Sequence, residues 1–122
     1  MKIKIPHRTI PKKNSQRIII NPRTQKPMII QSKSYLEFEK LCGFYLKKYK
    51  GQVEGAVNIC ATFYVGDKRR RDLINLEEAI ADILVKYAVL PDDNYEIIQS
   101  WDGSRIIYEK GREETIINIE EV

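Results

Sequence analysis

Two periodicities alternate along the chain, and their changes mark the elements. Ile-Lys-Ile at residues 3–5 reads as a short strand closed by Pro6 and Pro11, and the polar run Pro-Lys-Lys-Asn-Ser-Gln-Arg that follows reads as a loop. Arg-Ile-Ile-Ile at 17–20 and Pro-Met-Ile-Ile at 27–30 are β-prone and separated by the turn-rich Asn-Pro-Arg-Thr-Gln-Lys, which predicts a hairpin. From Ser34 the period becomes helical. Tyr35, Phe38, Leu41, Cys42, Tyr45 and Tyr49 share a face, with Ser34 placed to cap the start and Gly51 just beyond the end. In residues 57–65, Val57, Ile59, Ala61, Phe63 and Val65 alternate with more polar positions, the pattern of a half-buried strand.

A basic turn, Gly-Asp-Lys-Arg-Arg-Arg-Asp, leads into the clearest element. Leu76, Ala79, Ile80, Ile83, Leu84 and Tyr87 recur at steps of three and four and predict a second helix with an acidic opposite face. Pro91 and Asp92-Asp93-Asn94 are the expected terminators. The segments 96–101, 105–109 and 115–122 then read as closing strands around a turn at Asp102-Gly103. No repeat or linker interrupts residues 1–122, so the expected architecture is one compact α+β domain, two helices on a mainly antiparallel or mixed sheet.

Composition fits that size of core: 43% of the 122 residues are apolar. Charged residues make up 31%, and no segment approaches the roughly 20 apolar residues of a membrane span, so the expectation is a cytoplasmic protein without membrane contact. Cys42 and Cys60 are far apart and outside any metal-binding spacing, and are expected to be reduced, buried thiols; the single His7 cannot build a His-rich metal site. The net charge of +4 conceals an asymmetry. Residues 1–72 hold 17 Lys and Arg against 5 Asp and Glu, a balance of +12, whereas residues 73–122 hold 4 against 12, a balance of −8. The first part suits a polyanion, because Lys and Arg displace condensed counterions from nucleic-acid phosphates; the second supplies carboxylates.

The stretch from Arg69 to Asn94 carries the candidate chemistry. A helix sets Asn75, Glu78 and Asp82 along one polar edge beside the buried stripe, with Asp72 just before the helix and Asp93 after it. If Asp72 and Asp93 converge on one cleft, carboxylates near a basic surface suit Mg²⁺, which binds through one or two carboxylates plus waters and substrate phosphate oxygens and can activate water for phosphodiester hydrolysis. The same residues have structural uses. Asn75 and Glu78 have the spacing of a capping-box variant, Asp72 can satisfy donors at the helix start, Asp92-Asp93 can form an exposed turn, and Lys68 to Arg71 a solvated one.

Asp72-Leu-Ile-Asn75, then Asp82-Ile-Leu, then Asp92-Asp93 resembles the RusA family pattern Asp-x-Asp-Asn-x-x-Lys, Asp-x-Leu and Asp-Asp, in order and in separation. Pro11-Lys-Lys-Asn14-Ser15 resembles that family's N-terminal loop, and Ser34-Tyr35 the start of its first helix. The resemblance implies a RusA-like fold and a homodimeric, Mg²⁺-dependent endodeoxyribonuclease that nicks four-way (Holliday) junctions in recombination and repair, of a kind often encoded by prophages, with Mn²⁺ a further option. It implies Asp72 and Asp93 as metal-binding carboxylates and Asn75 as the motif asparagine, with Asp82 and Asp92 supporting the motif. Two positions depart: Ile74 replaces the second motif aspartate and Glu78 the motif lysine. Glu78, one turn from Asn75, is a candidate to return the lost carboxylate as a third ligand, and Arg70 or Arg71 the lost cation. Lys12, Lys13, Asn14, Arg17, Lys68, Arg69, Arg70 and Arg71 are the expected DNA contacts, which position a backbone more than they read sequence. The alternatives are a RusA-like protein that binds DNA without cutting it, and a structural or regulatory protein of a mobile element whose acidic half binds a protein partner.

Overall fold

A computed structural model describes residues 1–12 and 17–122, so Lys13 and Asn14 of the expected DNA contacts lie outside the described residues. The elements follow in the order β1 (Lys2–Ile5), β2 (Arg17–Ile20), β3 (Pro27–Ile30), α1 (Lys33–Leu46), β4 (Val57–Val65), α2 (Leu73–Lys86), β5 (Ile98–Ser100), β6 (Arg105–Tyr108) and β7 (Glu114–Glu121), with a 3₁₀ turn at Lys47–Tyr49 extending α1. The chain is an α+β fold with two helices and a mixed sheet, as the periodicities predict.

β4 sits inside the sheet. β7 lies antiparallel along one of its edges, in register from Val57 opposite Glu121 to Tyr64 opposite Glu114. β1 completes that side, antiparallel to β7. The other edge is shared by two short parallel strands, β5 against Val57 and Asn58, and β6 against Thr62 to Val65. Between them the ladder has a gap, and a side chain fills it. Ser104 Oγ donates to the Ile59 carbonyl at 3.1 Å and accepts from the Ala61 N–H at 3.0 Å, so the edge of β4 is satisfied where no strand reaches it. Asn58 fixes the same turn, its Oδ1 accepting from Ser100 Oγ and from the Asp102 N–H while its Nδ2 donates to the Asp102 carbonyl.

Alternation along the strands sends Ile3 and Ile5, Val57, Ile59, Ala61 and Phe63, and Ile117 and Ile119 into one core. The helices close that core with Tyr35, Phe38, Cys42 and Leu46 from α1 and Leu76, Ala79, Ile80, Ile83 and Leu84 from α2. On the opposite face Arg112 stacks on the Tyr64 ring at 3.5 Å from its centroid and pairs with Glu109 and Glu114, tying the β6–β7 connection to β4.

Two helix boundaries differ from the sequence reading. The cap of α1 is Ser32 rather than Ser34, because Ser32 holds the extended conformation and its Oγ accepts from the Tyr35 N–H at 3.2 Å; Ser34 already lies inside the first turn. α2 stops at Lys86, before Pro91. Ala88 takes a left-handed φ of 57°, and the Ala88 and Val89 N–H groups turn back to the Val85 and Leu84 carbonyls, a Schellman closure seated by the fully buried Leu84 and Val89. The two helix ends are then joined, as the Gly51 N–H donates to the Ala88 carbonyl.

The contact between the helices requires a glycine. A Cβ on Gly43 would stand 2.4 Å from two ring carbons of Tyr87, whose hydroxyl donates to the Glu39 carbonyl at 3.0 Å, while Lys86 pairs with the Glu39 carboxylate. Gly43→Ala is therefore expected to lower the unfolding free energy by about 1–3 kcal/mol, the usual cost of overpacking, measured by urea denaturation.

Candidate functional site

The segment between β4 and α2 is held by its own side chains. Asp67 Oδ1 accepts from the Arg69 N–H at 2.8 Å, and the Arg71 guanidinium grips the Asp67 carboxylate with Nη1 to Oδ1 at 3.0 Å and Nη2 to Oδ2 at 3.1 Å. The Arg71 hydrogen bonds, with the Arg69 backbone, hold the Asp67 carboxyl down at about 2. Arg71 also donates to the Asp67 and Arg69 carbonyls and is largely covered, so much of its hydrogen-bonding capacity shapes the loop. Arg70 is exposed and makes no ion pair among the described residues, and Lys68 lies over the Tyr108 ring.

Two depressions open along α2, of opposite charge. The first, of about 140 Å³, lies at the helix N-terminus and is lined by Arg8, Arg69, Arg70 and Arg71 with Asp72, Asn75 and Leu76. Asp72 is the N-cap by position, yet its side chain makes no capping bond; its Oδ2 accepts instead from Asn75 Nδ2 at 3.4 Å. The positive end of the helix dipole and four guanidinium groups make this an anion-attracting hollow. The second, of about 290 Å³, lies on the next turns and is lined by Ile74, Glu77, Glu78 and Ala81 of α2 with Asp93, Ile98 and Trp101.

The expected convergence of Asp72 and Asp93 is thus only partial: they line neighbouring depressions of one helix rather than one cleft. Glu78 and Asp93 line the same depression, and because the N-cap of α2 is Asp72, Asn75 and Glu78 do not hold the two positions of a capping box. Ile74 is 74% exposed and stands in the acidic depression, where the family pattern has a carboxylate. Asp82 is paired with Lys12 at 3.4 Å, which ties the N-terminal segment to α2. Asp92 organises the turn beyond α2, accepting from the Asp93 N–H at 2.7 Å and from Asn94 Nδ2 at 3.0 Å. Arg17 lies apart from both depressions, beside α1.

Three charged or aromatic lining residues have no counterpart among the site residues expected from sequence. Arg8 belongs to the basic N-terminal segment but is brought to the arginine hollow by the path of the chain after β1; Glu77 and Trp101 enter the acidic one from an intermediate helix position and from the turn after β5. Burial pushes the Glu77 carboxyl above the ordinary carboxylate range. Cys42 is buried and its thiol is pushed up to about 12, chiefly by desolvation, so it offers no thiolate nucleophile; Cys60 is half-buried, and both are free thiols.

Among the described residues no group of three or more His, Cys, Asp or Glu is arranged to hold a metal ion. Glu77, Glu78 and Asp93 line the acidic depression together without reaching such an arrangement. No helix among the described residues is long and apolar enough to cross a membrane. No protein-family model matches the chain, and no curated protein matches it.

A carboxyl whose folded pKa is raised favours the protonated form in the folded state, so its contribution is most favourable below the ordinary carboxylate pKa and declines as pH rises through the folded value. Glu77→Gln should accordingly unfold at higher urea concentration than the wild type at pH 7 and at an indistinguishable concentration near pH 3, read from paired urea titrations.

Proposed function

We propose that the protein is a Mg²⁺-dependent, structure-specific endodeoxyribonuclease of branched DNA, of the RusA kind, acting on four-way junctions. The observation that carries this reading is the pairing of an arginine-lined hollow with a carboxylate-lined one on consecutive turns of α2. A phosphodiester needs both. Arg8, Arg69 and Arg70 offer charge-assisted hydrogen bonds to the backbone on one side of Asn75, and Asp93 and Glu78 offer oxygen ligands on the other. Asp72 lines the arginine side, at the helix N-terminus. Bound to the carboxylates, Mg²⁺ would supply Lewis acidity toward the scissile phosphate. Lys12, Arg17 and Lys68 extend the cationic surface, and paired cuts across a junction suit a homodimer with two related sites.

A second reading, a RusA-like protein that binds DNA without cutting it, is favoured by Ile74, an exposed aliphatic side chain in the carboxylate depression. Nicking of a synthetic four-way junction with and without Mg²⁺ decides between them: cutting only with the metal is expected, and binding with no cutting in either condition hands the protein to the second reading. Asp72→Asn and Asp93→Asn are expected to abolish cutting while junction binding persists. Glu78→Gln should raise the Mg²⁺ concentration needed by roughly 10- to 100-fold, and Ile74→Asp, at a position open enough to cost little stability, should lower it.

Binding itself should follow backbone electrostatics, with affinity falling steeply as salt rises. Arg70→Ala is expected to reduce the slope of log affinity against log salt by about 1. Arg71→Ala should also loosen the loop that Asp67 holds, so its signature is a lowered melting temperature together with weaker binding.

A further inference from the structure

Helical spacing sets Lys33, Leu36, Lys40, Phe44, Lys47 and Lys48 along one side of α1 and its 3₁₀ extension, and every one of them is exposed. The opposite side holds Tyr35, Phe38, Cys42 and Leu46 in the core, so the stripe is the outer face of the helix. One acid interrupts it, Glu37, which pairs with Lys33 at 3.9 Å. Lys40, Lys47 and Lys48 make no ion pair among the described residues. Beside the stripe runs a groove of about 650 Å³, with Arg17 and Ile30 of the hairpin on one side and Lys33, Leu36 and Lys40 on the other.

Two large apolar side chains stand open in this cationic setting, Phe44 at 68% and Leu36 at 49% exposure. Helix electrostatics accounts for Lys47 and Lys48, which suit the negative end of the α1 dipole, but gives no reason for a phenylalanine in water. The Phe44 ring is held in place: Tyr45 meets it at 79° with centroids 5.5 Å apart, and Lys47 Nζ lies 5.3 Å from its centroid. A steadied ring with cations on either side of it along the helix has the make-up of a base-stacking platform.

We propose that this face of α1 binds a single strand of DNA, an unpaired base stacking on Phe44 and the flanking phosphates lying on Lys40, Lys47 and Lys48. The cations select a polyanion, and the exposed apolar side chains select one that offers more than phosphate. A duplex keeps its bases stacked inside and would leave Phe44 and Leu36 in water, whereas an unpaired strand brings base faces to them. The helix is about 20 Å long, the span of a short site of about four nucleotides. Arg17, which lies apart from both depressions of α2, borders the path of such a strand. The surface is also separate from the candidate nuclease site. Gly43 packs on Tyr87 and the Gly51 N–H donates to the Ala88 carbonyl, which sets Phe44 to Lys48 at the C-terminal end of α2, while the arginine hollow lies at its N-terminus. The choice of an unpaired strand rests on the α1 face alone; the choice of DNA over RNA rests on the nuclease reading.

Fluorescence anisotropy of a short labelled oligothymidylate, in EDTA so that nothing is cut, tests this apart from the nuclease reading, and either can fail alone. Oligothymidylate should bind more tightly than a blunt duplex of equal length and at least as tightly as oligouridylate. Phe44→Ala should weaken it roughly 10- to 100-fold, the range for losing one stacked base; Phe44→Leu, which keeps apolar bulk without a ring, should weaken it nearly as much, and Phe44→Trp should restore it. Lys47→Gln with Lys48→Gln should reduce the slope of log affinity against log salt by about 1.4, the share of two phosphates on a single strand. These positions are exposed, so each variant should keep the wild-type circular dichroism and melting temperature. A preference for duplex or for oligouridylate, full affinity in Phe44→Ala or Phe44→Leu, an unchanged salt slope in the double glutamine variant, or stronger binding to phosphatidylserine vesicles than to the oligonucleotide would overturn the proposal.

Discussion

Everything in the main sheet depends on keeping both edges of β4 bonded. A nine-residue strand inside a sheet presents backbone donors and acceptors on two sides, and each one left bare in the interior would cost more than an ordinary hydrogen bond returns. One side is met by the long antiparallel β7. The other is met in three pieces, by β5, by the Ser104 hydroxyl and by β6, which fixes the turn at Asp102-Gly103 as tightly as a strand would. Gly103, at a φ of 88°, fits there because a Cβ would stand 3.0 Å from Cys60 Sγ.

The position of the candidate site follows from that arrangement. β4 delivers the chain to the Asp67–Arg71 clasp, the clasp sets the direction in which α2 begins, and the core stripe of Leu76, Ala79, Ile80 and Ile83 fixes the rotation of the helix about its own axis. With that rotation set, Ile74, Glu77, Glu78 and Ala81 turn toward the segment after α2, and Asp72 and Asn75 toward the basic loop. A single helix orientation thus separates positive from negative surface within a few residues, each adding about 1.5 Å of rise.

Much of this was legible in the sequence. The hairpin strands at 17–20 and 27–30 stand where their β-prone residues and the turn-rich connection put them, and the nine residues of β4 where their period-two alternation does. Boundaries were less legible. Two serines two apart both have capping chemistry, and only backbone conformation chooses Ser32; the end of α2 rests on Ala88 in a conformation that its side chain disfavours, for which sequence has no signal as strong as a glycine. At the site, Asp72, Glu78 and Asp93 stand out by spacing, whereas Arg8 and Trp101 reach their depressions from connections distant in sequence, after β1 and after β5. Spacing along one helix does not encode what a neighbouring segment brings. The division of the carboxylates between two depressions likewise depends on the turn after α2, held by Asp92 and Asn94.

The placement of β7 has a consequence for how the molecule is made. β7 follows all the other strands in the chain, yet it lies between β1 and β4, with Ile3 opposite Ile117 and Ile59 opposite Ile119. During synthesis, therefore, β1 and β4 leave the ribosome without the neighbour that joins them, and the sheet closes only after residues 114–121 have emerged. Until then a nascent chain carries two unpaired strand edges beside an isoleucine-rich hairpin, the condition under which chains adhere to one another. Closure of the sheet is therefore a long-range event, joining residues 2–5 and 57–64 only through a strand that follows both.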